Sequence, residues 1–193
     1  INLKTRTINK KKKSLNLIRL GTSGALQKDI EIDSFLVSNY ALGFDGLAHF
    51  YSDRSRVDQE IGAAFQSHAL WPNELANPYC MKASENLLTK FSDINSGITA
   101  TATGFYGPQG RKLRLTPAIN DLHKKMETFR YKESEICNFE METSALYYLG
   151  QTLGHNTLTI CAVIGNRLTK EYSKDYKKTV ERMIDLVLNR ICQ

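Results

Sequence analysis

The chain has 193 residues, 41% hydrophobic and 24% charged, with a formal net charge of +6. That balance fits one globular domain with room for a sizeable core. It offers no apolar run near the roughly 20 residues that span a bilayer, and its polar, basic start lacks the apolar segment of a signal peptide. Cys80, Cys137, Cys161 and Cys192 are widely spaced, with no C-x-x-C pair and no clustered histidines. A disulfide framework and a zinc site are disfavoured, and a cytoplasmic location is expected.

Much of the positive charge is local, in the run Lys10 to Lys13 and in Lys170, Lys174, Lys177 and Lys178. Such runs are most often solvated faces. The aromatic residues are not interleaved with them as a nucleic-acid stacking platform requires, so a basic nucleic-acid-binding module is the weaker reading.

In chain order, residues 14–20 alternate and stop at Gly21, which predicts a buried strand entering a loop over residues 21–24. Lys10 to Lys13 before it read as the exposed turn of a hairpin. Residues 33–42 predict a second strand and residues 43–46 a turn. Residues 58–70 fit a short helix or an irregular insert, stopped by Trp71-Pro72, with residues 72–78 resembling an insert. Residues 83–91 have helical spacing. Residues 97–106 are rich in β-formers and predict a strand, followed by a Gly107-Pro108-Gln109-Gly110 loop. A helix over 119–128, a short strand over 136–140 and a helix over 143–152 come next. Residues 157–164 form an almost wholly apolar run, as in a strand buried on both faces. Residues 172–191 carry the apolar stripe of a covering helix. The class is α/β with a mixed sheet flanked by helices, and no linker divides residues 1–193.

Chemistry concentrates in four segments. Glu140-Met141-Glu142 stands where an apolar strand turns into a helix. Two carboxylates there suit sugar hydroxyls, and the thioether between them suits a sugar face; the same acids equally fit an ordinary helix N-terminus. Arg19 with Gly21-Thr22-Ser23-Gly24 fits either an anion-binding loop or a structural turn. Phe105, Gln109 and Arg111 offer a ring, an amide and a guanidinium, a base-recognition set or simply a polar surface loop. Arg167 after Asn166 fits a strand-end arginine paired to a carboxylate. His49, beside Asp45, Gly46 and Phe50, has no assigned role.

In their order along the chain, residues 19–24, 105–111, 137–146 and 163–167 resemble the nucleoside phosphorylase family, most closely its uridine phosphorylases, from about Leu15 onward. The resemblance implies the mixed α/β phosphorylase/hydrolase-like fold. It implies phosphorolysis of uridine to uracil and ribose 1-phosphate, with Arg19, Arg111 and Glu142 as catalytic residues. Thr22 would hold phosphate close to the ribose, Phe105 and Gln109 the base, and Glu140 and Met141 the sugar, with Ile164 also lining the substrate site. Phosphate and a pyrimidine nucleoside are the implied partners, and no metal or organic cofactor is called for. Purine-cleaving relatives place an aspartate at the Asn166 position, and hydrolases lack an arginine at the Arg19 position; both remain the alternatives within the superfamily. The family's N-terminal glycine-rich phosphate loop, its phosphate-binding arginine, and the arginine and histidine lent by a neighbouring subunit have no counterpart here. The chain, opening at Ile1, is therefore expected to lack the N-terminal portion of a dimer-based oligomer, possibly a trimer of dimers, and to be nearly inactive alone.

Overall fold

The computed structural model describes residues 3–8 and 11–192. Lys10 lies outside them; Lys11, Lys12 and Lys13 are exposed. Nine strands among the described residues form one mixed sheet. They are β1 (Asn16–Ala25), β2 (Phe35–Gly43), β3 (Val57–Asp58), β4 (Tyr79–Lys82), β5 (Ser96–Thr101), β6 (Arg130–Tyr131), β7 (Ser134–Glu140), β8 (Asn156–Asn166) and β9 (Glu171–Tyr172). The helices are α1 (Gln59–Ala69), α2 (Glu85–Leu88), α3 (Leu122–Thr128), α4 (Thr143–Thr152) and α5 (Tyr176–Ile191).

The spatial order is β3-β4-β2-β5-β7-β1-β8-β9, with β6 beside β7 and a further pairing of β2 with β8. That last pairing, Phe35 to Val37 against Ala162 to Ile160, bends the sheet round on itself. β8 is the centre of this closure, parallel to β1 and antiparallel to β2. Its apolar sequence follows from that position, since Leu158, Ile160, Ala162 and Val163 are all fully buried.

One side of the sheet is closed by Ile61 and Phe65 of α1 and Leu122 and Met126 of α3, packed with Leu42, Ile98 and Phe139. The other is closed by Tyr147 and Tyr148 of α4 and Met183 and Val187 of α5, packed with Leu158 and Ile160. Each large apolar side chain so buried stabilises by about 1.5–3 kcal/mol before the entropy of ordering it. α1 starts where the Asp58 carboxylate accepts from the N–H groups of Glu60 and Ile61, both at 3.1 Å. The α4 tyrosines also satisfy backbone: Tyr147 Oη donates to Ser38 O at 2.7 Å and accepts from Thr159 N at 2.9 Å.

A polar ladder crosses this apolar sheet. Ser38 Oγ lies 2.5 Å from Thr99 Oγ1, Thr99 Oγ1 donates to Asn138 Oδ1 at 2.7 Å, and Asn138 Nδ2 donates to Ser23 Oγ at 2.8 Å. All four residues are buried. The ladder ties β2, β5, β7 and β1 in register and ends on a residue of the candidate site.

Several expectations need correction. Residues 21–24 are not a loop: β1 continues to Ala25, because Thr22 and Ser23 pair with Ala162 and Val163 of β8. The strand predicted over 97–106 stops at Thr101. The helix predicted over 83–91 is one α-turn, α2, followed by a 3-10 turn over Thr89–Phe91. Tyr172 belongs to β9, paired with Gly165, and the last helix begins only at Tyr176. The stretch read as an insert around Trp71 is anchored to the core. Trp71 packs on Phe44 at 4.9 Å between ring centroids, and its indole N–H donates to Ala76 O at 3.1 Å.

Candidate active site

A cavity of about 380 Å³ opens where β1, β7 and β8 end. Arg19, Thr22, Phe105, Gln109, Arg111, Glu140, Met141, Glu142 and Ile164 all line it, so residues from four distant segments meet in one place. Asn166 and Arg167 line it too, and His49 does not. Sequence reasoning missed Phe139 and Tyr172 as lining residues. Tyr172 was hidden because a two-residue strand leaves no periodicity to read.

The β1 end is built around Arg19. Two residues on, Gly21 shares its face of the strand. A β-carbon at Gly21 would lie 2.4 Å from Arg19 Nη1, so glycine is what lets the guanidinium lie flat across the strand. Arg19 forms ion pairs with Glu140, at 3.3 Å, and with Glu142. Between Ser23 and Gly24 the register with β8 slips by one residue, the mark of a β-bulge at Ile164. The bulge falls where Ile164 meets the cavity.

The two glutamates differ in state. Glu140 is 4% exposed and accepts from Thr101 Oγ1 at 2.6 Å and from the N–H groups of Glu142 and Thr143 at 2.9 and 3.0 Å. Its carboxylate thus holds the start of α4, where the helix dipole favours a negative charge. Burial nevertheless pushes its pKa up, against the opposing pull of Arg19 and these donors. The Glu142 side chain is 56% exposed and, among the described residues, engaged only by Arg19. Glu142 is the carboxylate with lone pairs to spare for a ligand.

At the opposite end, the loop after β5 carries a 3-10 turn over Gly107–Gln109. Gln109 is buried, its Nε2 donating to Glu140 O at 3.4 Å. Its Oε1 accepts from Arg111 Nη1 at 2.5 Å and from Arg167 Nη2 at 2.6 Å. The Arg111 guanidinium lies over the Phe105 ring, 3.8 Å from its centroid, and also donates to Phe105 O. Among the described residues neither Arg111 nor Arg167 has an ion-pair partner within 4.0 Å. Burial and the neighbouring Arg111 pull Arg167 down to about 10. This end of the cavity is therefore an unneutralised cationic wall, suited to an oxygen that gains negative charge.

Asn166 is 1% exposed and fully engaged. Its Nδ2 donates to Gln27 O at 2.8 Å and Ile30 O at 3.0 Å, and its Oδ1 accepts from Leu168 N at 2.9 Å and Thr169 N at 3.3 Å. The amide pins the turn that carries Arg167, and an asparagine side chain has no proton to give as an acid.

Residues 6–191 match the Phosphorylase superfamily, and the chain belongs to it. It is 29% identical to a uridine phosphorylase of Thermococcus kodakarensis over 83% of this chain and 52% of that protein. It is 25% identical to a uridine phosphorylase of Haemophilus influenzae over 89% of this chain and 62% of that protein. A DeoD-type purine nucleoside phosphorylase of Brevibacillus brevis is 29% identical over 90% of this chain and 63% of that protein. The chain thus spans between half and two thirds of the length of these curated relatives. A crystal structure of a Trypanosoma brucei nucleoside phosphorylase, described as showing uridine phosphorylase activity, superposes with a TM-score of 0.79 at 24% identity. It covers 92% of this chain and 63% of its own, and the likeness is one of fold.

Proposed function

We propose that the protein is a uridine phosphorylase, converting uridine and phosphate reversibly to uracil and ribose 1-phosphate. The observation that carries this reading is the polarity of one cavity: Arg19 and Glu142 at one end, and at the other Gln109 with two arginines that have no ion-pair partner among the described residues. Arg19 with Thr22 would bind the attacking phosphate, the guanidinium exchanging a carboxylate partner for phosphate oxygens. Glu142 would accept from the ribose hydroxyls, with Met141 and Ile164 against the sugar. Glu140 would act from behind, holding Arg19 and the start of α4. The glycosidic bond breaks with positive charge on the sugar and negative charge on the base. Phosphate answers the first, and Gln109 with Arg111 the second, beside Phe105.

Relatives acting on uridine and on purine nucleosides are both similar to this chain. Asn166 favours the pyrimidine reading, because uracil leaves as an anion that donors stabilise, whereas a purine gains from a proton donor that asparagine is not. A dimer-based assembly, with the neighbouring subunit completing the phosphate and sugar ends, belongs to the same proposal.

The test is uracil release from uridine by the complete polypeptide, with and without phosphate, beside Arg111→Ala. Release should require phosphate and fall on the order of 100-fold in the variant. Release without phosphate would mean hydrolysis, and release from inosine alone would overturn the argument from Asn166.

A further inference from the structure

We infer that His123 is a positioning residue for the base end of the cavity, its Nε2 in contact with both the Gln109 loop and Arg167 and holding one or the other according to where the ring proton sits. The inference rests on the reading of that end as the base site. His123 is the second residue of α3 and half-buried beneath the loop. Its Nε2 lies 2.6 Å from Gln109 O and 2.8 Å from Arg167 Nη1. Arg167 in turn reaches the Gln109 side chain, so Gln109 is held at its backbone by His123 and at its amide by a guanidinium that His123 also contacts. Gly110 takes the left-handed conformation here, φ 72°, and a β-carbon on it would lie 3.3 Å from Leu122 Cβ and 3.5 Å from the His123 ring.

The two contacts ask opposite things of Nε2. A protonated Nε2 donates to the Gln109 carbonyl, and a bare Nε2 accepts from Arg167. One proton therefore decides whether the ring holds the loop or the guanidinium. A ligand oxygen that drew Arg167 forward would favour the Nε2–H form and so fasten the loop over the ligand. Burial first, then Arg167 and Arg111, pull the ring's pKa below the ordinary histidine value. Lys112, Asp121, Lys124 and Glu127 line the same second pocket as His123.

The test pairs kinetics with a measurement that needs no turnover. His123→Leu, which removes both contacts, should lower kcat/KM for the nucleoside about 10- to 100-fold. The KM for phosphate should be unchanged, since Arg19 stands at the other end. His123→Gln, which keeps a donor and an acceptor, should recover part of the loss. Unchanged kinetics in His123→Leu, or equal loss at both substrates with a lowered Tm, would overturn the inference. Independently, nitrogen NMR of the His123 ring in Arg167→Ala should show its pKa rising toward the ordinary value; an unmoved titration would also overturn it. If the complete polypeptide released no uracil, the assignment of the base site would fail, while the NMR comparison would still decide the His123–Arg167 contact.

Discussion

Arg19 Nη1 stands 3.3 Å from Glu140 Oε2, joining a half-buried guanidinium to a carboxylate that also caps α4. The pair links binding and folding, because Arg19 is proposed to meet phosphate while Glu140 holds the strand-to-helix turn. Arg19→Ala would leave Glu140 buried without its cation. We expect a loss of about 3–5 kcal/mol in urea unfolding, the cost of breaking a buried pair from one side, together with loss of phosphate-dependent turnover. Glu142→Gln is the control, since that side chain is mostly exposed. It should change stability by less than about 1 kcal/mol yet raise the KM for the nucleoside. Equal destabilisation by both variants would refute this division of roles.

Gly21→Ala tests the close approach across β1. The new methyl would meet the Arg19 guanidinium, the far end of a flexible side chain, so that group moves rather than the strand. The expected result is a phosphate KM raised on the order of 10-fold with a small shift in Tm, since a misplaced binding group is costly to function. A normal phosphate KM would show that Arg19 does not need this path.

Asn138→Leu removes the middle of the ladder that joins Ser38, Thr99 and Ser23. Buried hydroxyls of Thr99 and Ser23 lose a partner, and each such group costs about 1–3 kcal/mol. The urea midpoint should fall accordingly. A midpoint within error of the unmodified protein would mean that the hydroxyls find other partners.

The pH dependence of stability has a component of known sign from His123. Its pKa is lowered in the folded protein, so between the folded value and the unfolded value of about 6.5 the unfolded chain binds more protons. The stabilisation is present above about 6.5 and is lost as pH falls toward the folded value. Melting profiles from pH 5 to 7.5 should therefore be flatter for His123→Gln than for the unmodified protein. Parallel profiles would remove His123 as the source.

The α/β class and most strands and helices were legible in the residues themselves, while the candidate site residues, which line one cavity, were marked by the resemblance to a family. Period and composition marked β8, because an all-apolar run has few homes other than the centre of a sheet. The order of four short motifs, through the resemblance they carry, marked Arg19, Gln109, Arg111 and Glu142. Local pattern misjudged residues 21–24, where glycines and hydroxyls look like a loop. Pairing with β8 supplies hydrogen bonds that no local preference reveals. The same holds for β9 and Tyr172.

The amino-acid sequence alone thus determined which chemical groups the protein has and the order in which they occur, since both are properties of the chain. Tertiary structure decided which of them are engaged. Glu140 and Glu142 are chemically identical and two residues apart, yet one is locked into a helix start and the other is open to a ligand. His123 gained its place only because α3 packs beneath a loop that ends 13 positions earlier, at Gly110. Contacts between distant segments depend on how the sheet closes, and no window of sequence contains that closure.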